Sequence, residues 1–161
     1  MGVAGCGKSA VGRLLAQQLG LPLVEGDNFH PLGNVRKMQQ GIALTDADRA
    51  EWLHALGLEL AGHPDGVVMT CSALKAAYRN SLRRATRNLY FVHLAITEGE
   101  SLRRVAQRLG HFYPPSLVAS QFEALQDPCG ELGVLTLQGD TPLENLVQKA
   151  ATWLENLSAG L

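Results

Sequence analysis

The segment Gly2-Val3-Ala4-Gly5-Cys6-Gly7-Lys8-Ser9 fits the pattern G-x-x-x-x-G-K-[ST] in full. Glycines at these spacings let consecutive backbone N–H groups converge on phosphate oxygens, so the pattern predicts a phosphate-binding loop, or P-loop. Lys8 can bridge the β- and γ-phosphates of a nucleotide, and the Ser9 hydroxyl can bind Mg²⁺. A helix from about Lys8 to Leu19 follows, and its positive N-terminus adds to the site. We expect nucleotide contacts from Gly2, Gly5, Cys6, Gly7, Lys8, Ser9 and Ala10.

Apolar runs alternate with helical patterns along the rest of the chain. Four short runs predict buried strands at residues 21–24, 66–71, 89–94 and 133–137. Between them, apolar residues recur at helical spacing, as in Leu53, Leu56 and Leu60. Strands that alternate with helices predict an α/β fold, with a parallel sheet covered by helices on both faces. Such a fold binds its ligands at the carboxyl ends of the strands.

Length and composition predict one ordinary domain. The chain has 161 residues, of which 46% are hydrophobic and 18% charged, a balance typical of globular proteins. The net charge of −1 argues against a binder of nucleic acid or of anionic membranes, which is usually basic overall. No apolar run approaches the ~18 residues of a membrane span. The three cysteines form no C-x-x-C pair, so we expect a cytoplasmic protein without a disulfide framework.

Two carboxylates follow the first predicted strand. Asp27 could accept a hydrogen bond from a substrate hydroxyl and orient it for in-line attack, while Glu25 could hold a water bound to Mg²⁺. The alternative is a solvated acidic turn, which the neighbouring P-loop disfavours. His30 either binds substrate or caps the turn before Pro31.

Arg49 falls in the first turn of a predicted helix that Thr45 or Asp46 caps. A cation is unfavourable there against the helix dipole, so the position favours a nearby anion. Arg49 could pair with Asp46 or Glu51, or its guanidinium could bind a substrate carboxylate through two hydrogen bonds. We expect the substrate contact. Trp52, by contrast, is expected in the core.

Ser72, Lys75 and Arg79 follow the second predicted strand, at a carboxyl edge beside the P-loop. Lys75 and Arg79 are spaced i, i+4 and share one helix face, and Ser72 could cap that helix or bond a substrate hydroxyl. A solvated basic face is the alternative for the two cations. Because this strand ends in Thr-Cys-Ser rather than in Asp, we expect Glu25 and Asp27 to supply the carboxylates near the metal.

Arg104 and Arg108 lie near the end of a helical pattern, just before a break at residues 110–115. Arginines placed there could close over ATP and stabilise the transferring phosphoryl group. Compensation of the helix dipole is the alternative. We expect a lid at about residues 104–118, with both arginines binding ATP.

The chain resembles the gluconate kinases (gluconokinases), small P-loop kinases of carbohydrate metabolism. The resemblance rests on blocks that follow in order along nearly the whole chain. The most specific are Asp46-x-Asp48-Arg49-x-x-Trp52-Leu53 and Cys71-Ser72-Ala73-Leu74-Lys75. The others are Gly2 to Ser9, Gly26-Asp27-x-x-His30-Pro31, Asn34-x-x-Lys37-Met38-x-x-Gly41, Arg104-x-x-x-Arg108-x-Gly110-His111-Phe112 and Gln121-Phe122-Glu123-x-Leu125.

The resemblance implies the three-layer P-loop kinase fold in a single domain (1–161) and the ATP-dependent phosphorylation of D-gluconate at its 6-hydroxyl, with Mg²⁺. It also implies a cytoplasmic homodimer. The expected catalytic residues are Lys8, Asp27 and Arg108, and the expected metal ligands are Ser9 and Glu25. The expected substrate-binding residues are Asp27, His30, Arg49, Ser72, Lys75, Arg79 and His111.

Two other functions stay open. The chain could be a P-loop kinase of another small hydroxy acid, such as a shikimate-like substrate, which the Asp46–Leu53 block disfavours through resemblance only. It could also be a catalytically impaired nucleotide-binding protein, a possibility that the start of the chain raises.

A P-loop normally follows a buried strand in the centre of the sheet, whereas only Met1 precedes it here. We therefore expect the first, central strand to be truncated before Met1, by about five to seven apolar residues. Its loss would remove hydrogen bonds from the neighbouring strands and leave a gap in the core. Either the sequence begins at an internal Met of a longer protein, or this version is destabilised.

Overall fold

The four apolar runs of the sequence form four short strands. The computed structural model describes residues 1–107 and 114–159. Within them, β1 pairs in parallel with β2, starting from Leu23 beside Val68, and β3 pairs in parallel with β4, starting from Phe91 beside Val134. The strands are β1 (Leu23–Glu25), β2 (Val68–Thr70), β3 (Phe91–Ala95) and β4 (Val134–Gln138). The predicted parallel α/β architecture is confirmed, but the described strands form two separate two-stranded sheets.

Helices connect the strands and begin where the sequence has capping residues. Thr45 caps the third helix in a capping box, in which its hydroxyl accepts the N–H of Asp48 and the Asp48 carboxylate accepts the N–H of Thr45. The helices are α1 (Lys8–Leu19), α2 (Leu32–Gln39), α3 (Asp46–Ala61), α4 (Ala76–Ala85), α5 (Glu98–Ala106), α6 (Val118–Ala124) and α7 (Leu143–Ala159). Short 3-10 helices span Gly26–Phe29 and Pro115–Leu117. None of the helices in the described part of the chain is long and apolar enough to cross a membrane.

The core lies on both faces of β3. Leu94 packs in a cluster with side chains of α1 and α7, including Leu15 and Val147. Phe91 packs in a second cluster with α3 and α4, which includes Trp52. Residues three apart on a strand point to opposite faces. Helices therefore cover both faces of the sheet region, as the fold prediction requires.

Met1 and Gly2 join the two sheets at the position predicted for the central strand. The amino group of Met1 donates to the carbonyl of Val92 at 2.6 Å, and the N–H of Leu94 donates to the carbonyl of Met1 at 3.0 Å. On the other side, the N–H of Gly2 donates to the carbonyl of Ser72 at 3.1 Å. Burial lowers the pKa of the Met1 amino group. These two residues thus continue the hydrogen-bond ladder between the β2 side and β3 for one step.

A cavity of about 910 Å³ lies beside Met1, between the two sheets. It is lined by apolar side chains from α1, β2, β3 and α7, among them Leu15, Val68, Val92 and Leu154.

Candidate active site

The P-loop places backbone donors at the start of α1. Gly2 and Gly7 have φ values of 141° and 100°, which residues with a Cβ rarely adopt. A Cβ on Gly2 would also lie 2.9 Å from the carbonyl oxygen of Leu94. Gly7 is the N-cap residue, and no described side chain caps the helix. The N–H groups of the first turn, at Lys8, Ser9 and Ala10, therefore remain available to an anion.

Side chains from two helices brace this loop from outside. The N–H of Ala4 donates to the side-chain oxygen of Gln121 at 2.6 Å, and the hydroxyl of Ser101 donates to the carbonyl of Ala4 at 2.7 Å. Both side chains are buried. Sequence reasoning did not assign either of them a role in the site. Gln121 was visible in one block of the resemblance, whereas nothing in the sequence marked Ser101.

The Lys8 side chain lies over its own loop. Its ammonium donates to the carbonyls of Gly2 and Val3, at 3.1 and 3.0 Å. Both acceptors are neutral, so a phosphate oxygen offers the ammonium a stronger, charge-assisted partner. The role of Lys8 in binding phosphate stays a prediction.

Ser9 and Glu25 lie together, as expected for metal ligands. The Ser9 hydroxyl donates to Oε2 of Glu25 at 3.0 Å, and the hydroxyl of Thr70 donates to the same oxygen at 2.5 Å. Hydroxyl and carboxylate oxygens are the hard ligands that Mg²⁺ prefers. No group of three or more His, Cys, Asp or Glu side chains suited to a metal occurs within residues 1–107 and 114–159. The donor set fits Mg²⁺, which keeps several waters and binds proteins through one or two side chains plus substrate phosphates.

The segment Gly26–His30, which we call the acceptor loop, follows β1 directly. It carries Asp27 within the 3-10 helix Gly26–Phe29. The His30 ring stacks on Trp52, with ring centroids 4.5 Å apart and planes 9° from parallel. Trp52 is fully buried, as predicted, but its indole N–H also donates to the carbonyl of Gly26 at 2.8 Å. Sequence reasoning missed this contact.

The His30 imidazole lies in a partly buried environment beside Asp27 and Arg49. Burial lowers its pKa to about 4, and the charge of Arg49 contributes, while the charge of Asp27 opposes the shift. Its Nδ1 is buried and has no hydrogen-bond partner among the described residues. A buried polar atom left unpaired is costly, so this nitrogen marks a place where a ligand group could bind.

Several charged side chains lie at the first turn of α3. Lys37 of α2 pairs with Asp48 at 2.6 Å, and hydrogen bonds from Lys37 and then from Thr45 lower the pKa of Asp48 to about 2. Asn34 donates to the carbonyl of Asp48 at 2.7 Å. Arg49 makes none of the ion pairs found within the described ranges, and its guanidinium lies 5.8 Å from the ring centre of Tyr78. The pairing with Asp46 or Glu51 that the sequence left open is therefore not observed.

Ser72 and Lys75 belong to the segment between β2 and α4. Lys75 is the N-cap residue of α4 and pairs with Asp46 at 2.6 Å, and Tyr78 also donates to Asp46. These two hydrogen bonds, that of Lys75 first, lower the pKa of Asp46. Ser72 is buried, and its carbonyl binds Gly2 of the P-loop at 3.1 Å. The loop after β2 thus contacts both the P-loop and α3.

Arg79 has a structural position, which corrects the expectation that it binds substrate. Its side chain is fully buried, and its guanidinium pairs with Glu131. It also donates to the carbonyls of Ala73, Leu74 and Gln126, at 2.9, 3.0 and 3.1 Å. Because the guanidinium nitrogens are all bonded within the protein, Arg79 has no free donor for a substrate carboxylate. Lys75 is only the N-cap of α4, and the two cations have different partners, Asp46 for Lys75 and Glu131 for Arg79.

Arg104 lies against the P-loop, where the lid was expected to begin. Its guanidinium donates to the carbonyls of Gly5 and Gly139, at 3.3 and 3.1 Å, and to Glu100 at 2.5 Å. Hydrogen bonds from Arg103 and Arg104 lower the pKa of Glu100 to about 2. Arg108 and His111, also predicted for the site, lie outside the described residues.

Comparison with known proteins places this geometry in a family. A family model described as shikimate kinase matches residues 4–118. A gluconokinase from Gluconobacter oxydans (strain 621H) is 44% identical over 157 residues, which cover 92% of this chain and 87% of that protein. The thermoresistant gluconokinase of Escherichia coli (strain K12) is 40% identical, covering 91% of this chain and 86% of the relative. The chain belongs to the gluconokinase family of P-loop kinases.

Solved structures of the family agree with the fold. The crystal structure of a gluconokinase from Sinorhizobium meliloti 1021 matches with a TM-score of 0.90 and 44% identity, over 99% of this chain and 91% of that one. Shikimate kinase from Aquifex aeolicus VF5 matches with a TM-score of 0.62 at 17% identity, over 100% of this chain and 97% of that one, which is a likeness of fold alone. The P-loop kinase fold predicted from the sequence is thereby confirmed.

Proposed function

We propose that this protein catalyses the ATP-dependent phosphorylation of D-gluconate at its 6-hydroxyl, giving 6-phospho-D-gluconate and ADP. The observation that carries the proposal is the pairing of a P-loop with an acceptor loop, in which Ser9 touches Glu25 directly before Gly26–His30. Relatives named gluconokinases, 40–44% identical over most of the chain, support the choice of acceptor.

The chemistry asks for orientation and charge compensation. The 6-hydroxyl oxygen attacks the γ-phosphorus of ATP in line, the bond to the oxygen of ADP breaks, and the hydroxyl proton is released to solvent, directly or by way of Asp27. Asp27 accepts the hydrogen bond of the hydroxyl and orients it, and Lys8 compensates the charge on the transferring phosphoryl group. We propose that Arg108, like Lys8, compensates the charge on the transferring phosphoryl group. Backbone N–H groups from Gly7 to Ala10 hold the phosphates at the positive end of α1.

The acid end of the acceptor needs a cation, and Arg49 is the best placed. It is half-buried and makes no ion pair within residues 1–107 and 114–159, whereas Lys75 is already paired with Asp46. A guanidinium can bind a carboxylate through two parallel hydrogen bonds. We propose that Arg49 binds the carboxylate and that His30, Ser72, Lys75 and His111 contact the hydroxyl-bearing chain. Arg79 is not part of this set.

The family implies ATP as phosphoryl donor, and we propose Mg²⁺ with it. Ser9 and Glu25 would hold the ion, Ser9 directly and Glu25 through a bound water. When bound, Mg²⁺ would neutralise charge on the β- and γ-phosphates. The Thr70 hydroxyl fixes Glu25 for this role.

We propose that residues 104–118 form the lid of a single domain that spans residues 1–161. Arg104 supports this assignment because it already reaches the carbonyl of Gly5 in the P-loop. Its guanidinium would contact the bound ATP from that position.

We propose that the protein acts as a homodimer in the cytoplasm. The family resemblance supports the dimer, and the three cysteines, all free, fit a reducing compartment. Light scattering of the purified protein at micromolar concentration should give twice the mass of the chain, and the mass of a single chain would contradict the dimer.

The test is a coupled assay of ADP release with a panel of acids. D-Gluconate should give the highest kcat/KM, and shikimate should give little turnover. Faster turnover of shikimate would favour the alternative acceptor, which the match to the shikimate kinase family model makes worth testing. Normal ATP binding without turnover of any acid would identify an impaired nucleotide-binding protein.

A further inference from the structure

Trp52 contacts both ends of the acceptor loop. Its indole N–H donates to the carbonyl of Gly26 at 2.8 Å, at the start of the loop. Its ring stacks on His30, at the end of the loop, with centroids 4.5 Å apart. The side chain is fully buried in the core. One residue of α3 therefore touches the loop on either side of Asp27.

The two ends of the loop are fixed to different degrees. Gly26 packs so tightly on β2 that a Cβ there would lie 2.4 Å from the carbonyl oxygen of Thr70. His30 has weaker restraints, since its N–H donates to the carbonyl of Asp27 at 3.4 Å and its Nδ1 has no described partner. The stacked indole is thus the contact that sets the plane of the His30 ring.

The plane of this ring matters because its buried Nδ1 has no hydrogen-bond partner within the described part of the chain. A neutral imidazole has one donor nitrogen and one acceptor nitrogen, and either can bond a hydroxyl. The direction of such a bond lies in the ring plane. Trp52 therefore fixes the direction from which a hydroxyl of the acceptor can pair with Nδ1.

We propose that Trp52 is a positioning residue of the acceptor site, whose indole holds Gly26 and the His30 ring so that Nδ1 of His30 meets a hydroxyl of the polyhydroxy acid. This inference rests on the proposed function, because it takes His30 to face the acceptor. Trp52 acts through the loop and touches neither ATP nor the reacting atoms.

Two substitutions separate the contacts of Trp52. Trp52→Leu removes both the stack and the indole N–H, and should raise the KM for D-gluconate by about tenfold or more. Trp52→Phe keeps an aromatic ring on His30 but loses the hydrogen bond to the carbonyl of Gly26. It should raise the KM for D-gluconate by about threefold. The KM for ATP should stay within about twofold in both variants, because the P-loop is braced by other side chains.

Leu82→Ala is the matched control for stability. Leu82 is 1% exposed in the same core cluster as Trp52, and it makes neither the stacking contact with His30 nor the hydrogen bond to Gly26 that Trp52 makes. Leu82→Ala should lower the thermal midpoint without the selective rise in the gluconate KM. An equal rise in Leu82→Ala, or an equal rise in the KM values for ATP and gluconate in Trp52→Leu, would overturn the inference. If Trp52→Leu does not fold, the comparison is made with Trp52→Phe.

A double-mutant cycle with His30→Gln tests whether Trp52 acts through His30. In the His30→Gln background, Trp52→Leu should add less than about twofold to the gluconate KM. If Trp52→Leu raised the gluconate KM by tenfold or more in the His30→Gln variant as well, the proposal that Trp52 acts through His30 would be overturned.

A spectroscopic readout keeps this inference separate from the proposed function. In the folded wild type, the ring protons of His30 should be shifted upfield in NMR spectra by the stacked indole, and the shift should disappear in Trp52→Leu. Unchanged His30 signals would overturn the inference even if gluconate is the substrate. Loss of the shift in a protein that phosphorylates no sugar acid would support the positioning of His30 and contradict the proposed function.

Discussion

The P-loop presents its phosphate-facing groups on one contiguous piece of backbone, whereas the acceptor loop depends on side chains that arrive from other elements. Gly7 and the first turn of α1 supply donors without any side-chain cap. On the acceptor side, Trp52 of α3 holds Gly26 and His30, and Lys37 of α2 pairs with Asp48. The difference teaches that the phosphate donors are encoded locally, although Gln121 and Ser101 brace their loop from other helices, while acceptor recognition depends on side chains from other elements.

The largest expected effect is on kcat, and it tests whether catalysis needs the Lys8 side chain in addition to the backbone N–H groups of the P-loop. Lys8→Met removes the only cationic side chain of the P-loop segment, and should lower kcat by roughly a thousandfold with little change in the gluconate KM. Steady-state kinetics with both substrates measures this. Lys149→Met, at an exposed position of α7, is the control and should leave kcat unchanged. A loss of less than about tenfold in Lys8→Met would mean that the backbone donors suffice.

The next effect falls on the acceptor side. Asp27→Asn keeps the shape of the side chain but weakens its ability to accept the hydroxyl proton or hydrogen bond, and should lower kcat by about a hundredfold. The KM for ATP should not change. Asp65→Asn, at an exposed turn, serves as the control in the same assay. A near-normal kcat in Asp27→Asn would remove Asp27 from the catalytic set.

A stability measurement tests whether Arg79 has a structural role and no role in binding either substrate. Glu131→Gln weakens the charged hydrogen bonds of the buried Arg79, and should lower the free energy of unfolding by about 2 kcal/mol. The gluconate KM should stay the same. Urea denaturation with kinetics on the same samples measures both quantities, with the exposed Glu144→Gln as control. A raised gluconate KM at unchanged stability would restore Arg79 as a substrate residue.

The smallest of these effects concerns recognition of the acid group. Arg49→Lys keeps the charge but cannot form two parallel hydrogen bonds to a carboxylate. It should raise the gluconate KM by about tenfold with little change in kcat. Arg36→Lys, at an exposed position of α2, should have no effect. If Arg49→Lys raised the KM for ATP instead, Arg49 would belong to the phosphate side.

The contrast between the two sides also explains what the sequence could predict. The P-loop motif and the start and end of α1 follow from residue spacing and capping, because their determinants are adjacent in the chain. The order of strands and helices and the parallel pairing follow from alternating patterns. Helix α2 was missed because half of its eight residues are polar, although Asn34 and Met38 are buried.

Errors in the site arose where tertiary contacts decide the role of a side chain. The spacing of Lys75 and Arg79 suggested one shared face, but Glu131, 52 residues along the chain from Arg79, binds the arginine in the interior. Trp52 was correctly placed in the core, yet its bond to Gly26 depends on how α3 packs on the loop. No pattern in the sequence predicts such a contact.

The most direct test of the central claim, that the two sides together transfer the γ-phosphoryl group of ATP to the terminal hydroxyl of gluconate, is a phosphorus NMR spectrum of the reaction with D-gluconate. The account predicts a new phosphomonoester signal split into a triplet by the two protons on C6, growing together with ADP. A doublet, which reports phosphorylation of a secondary hydroxyl, or ADP formation without any phosphomonoester would contradict it.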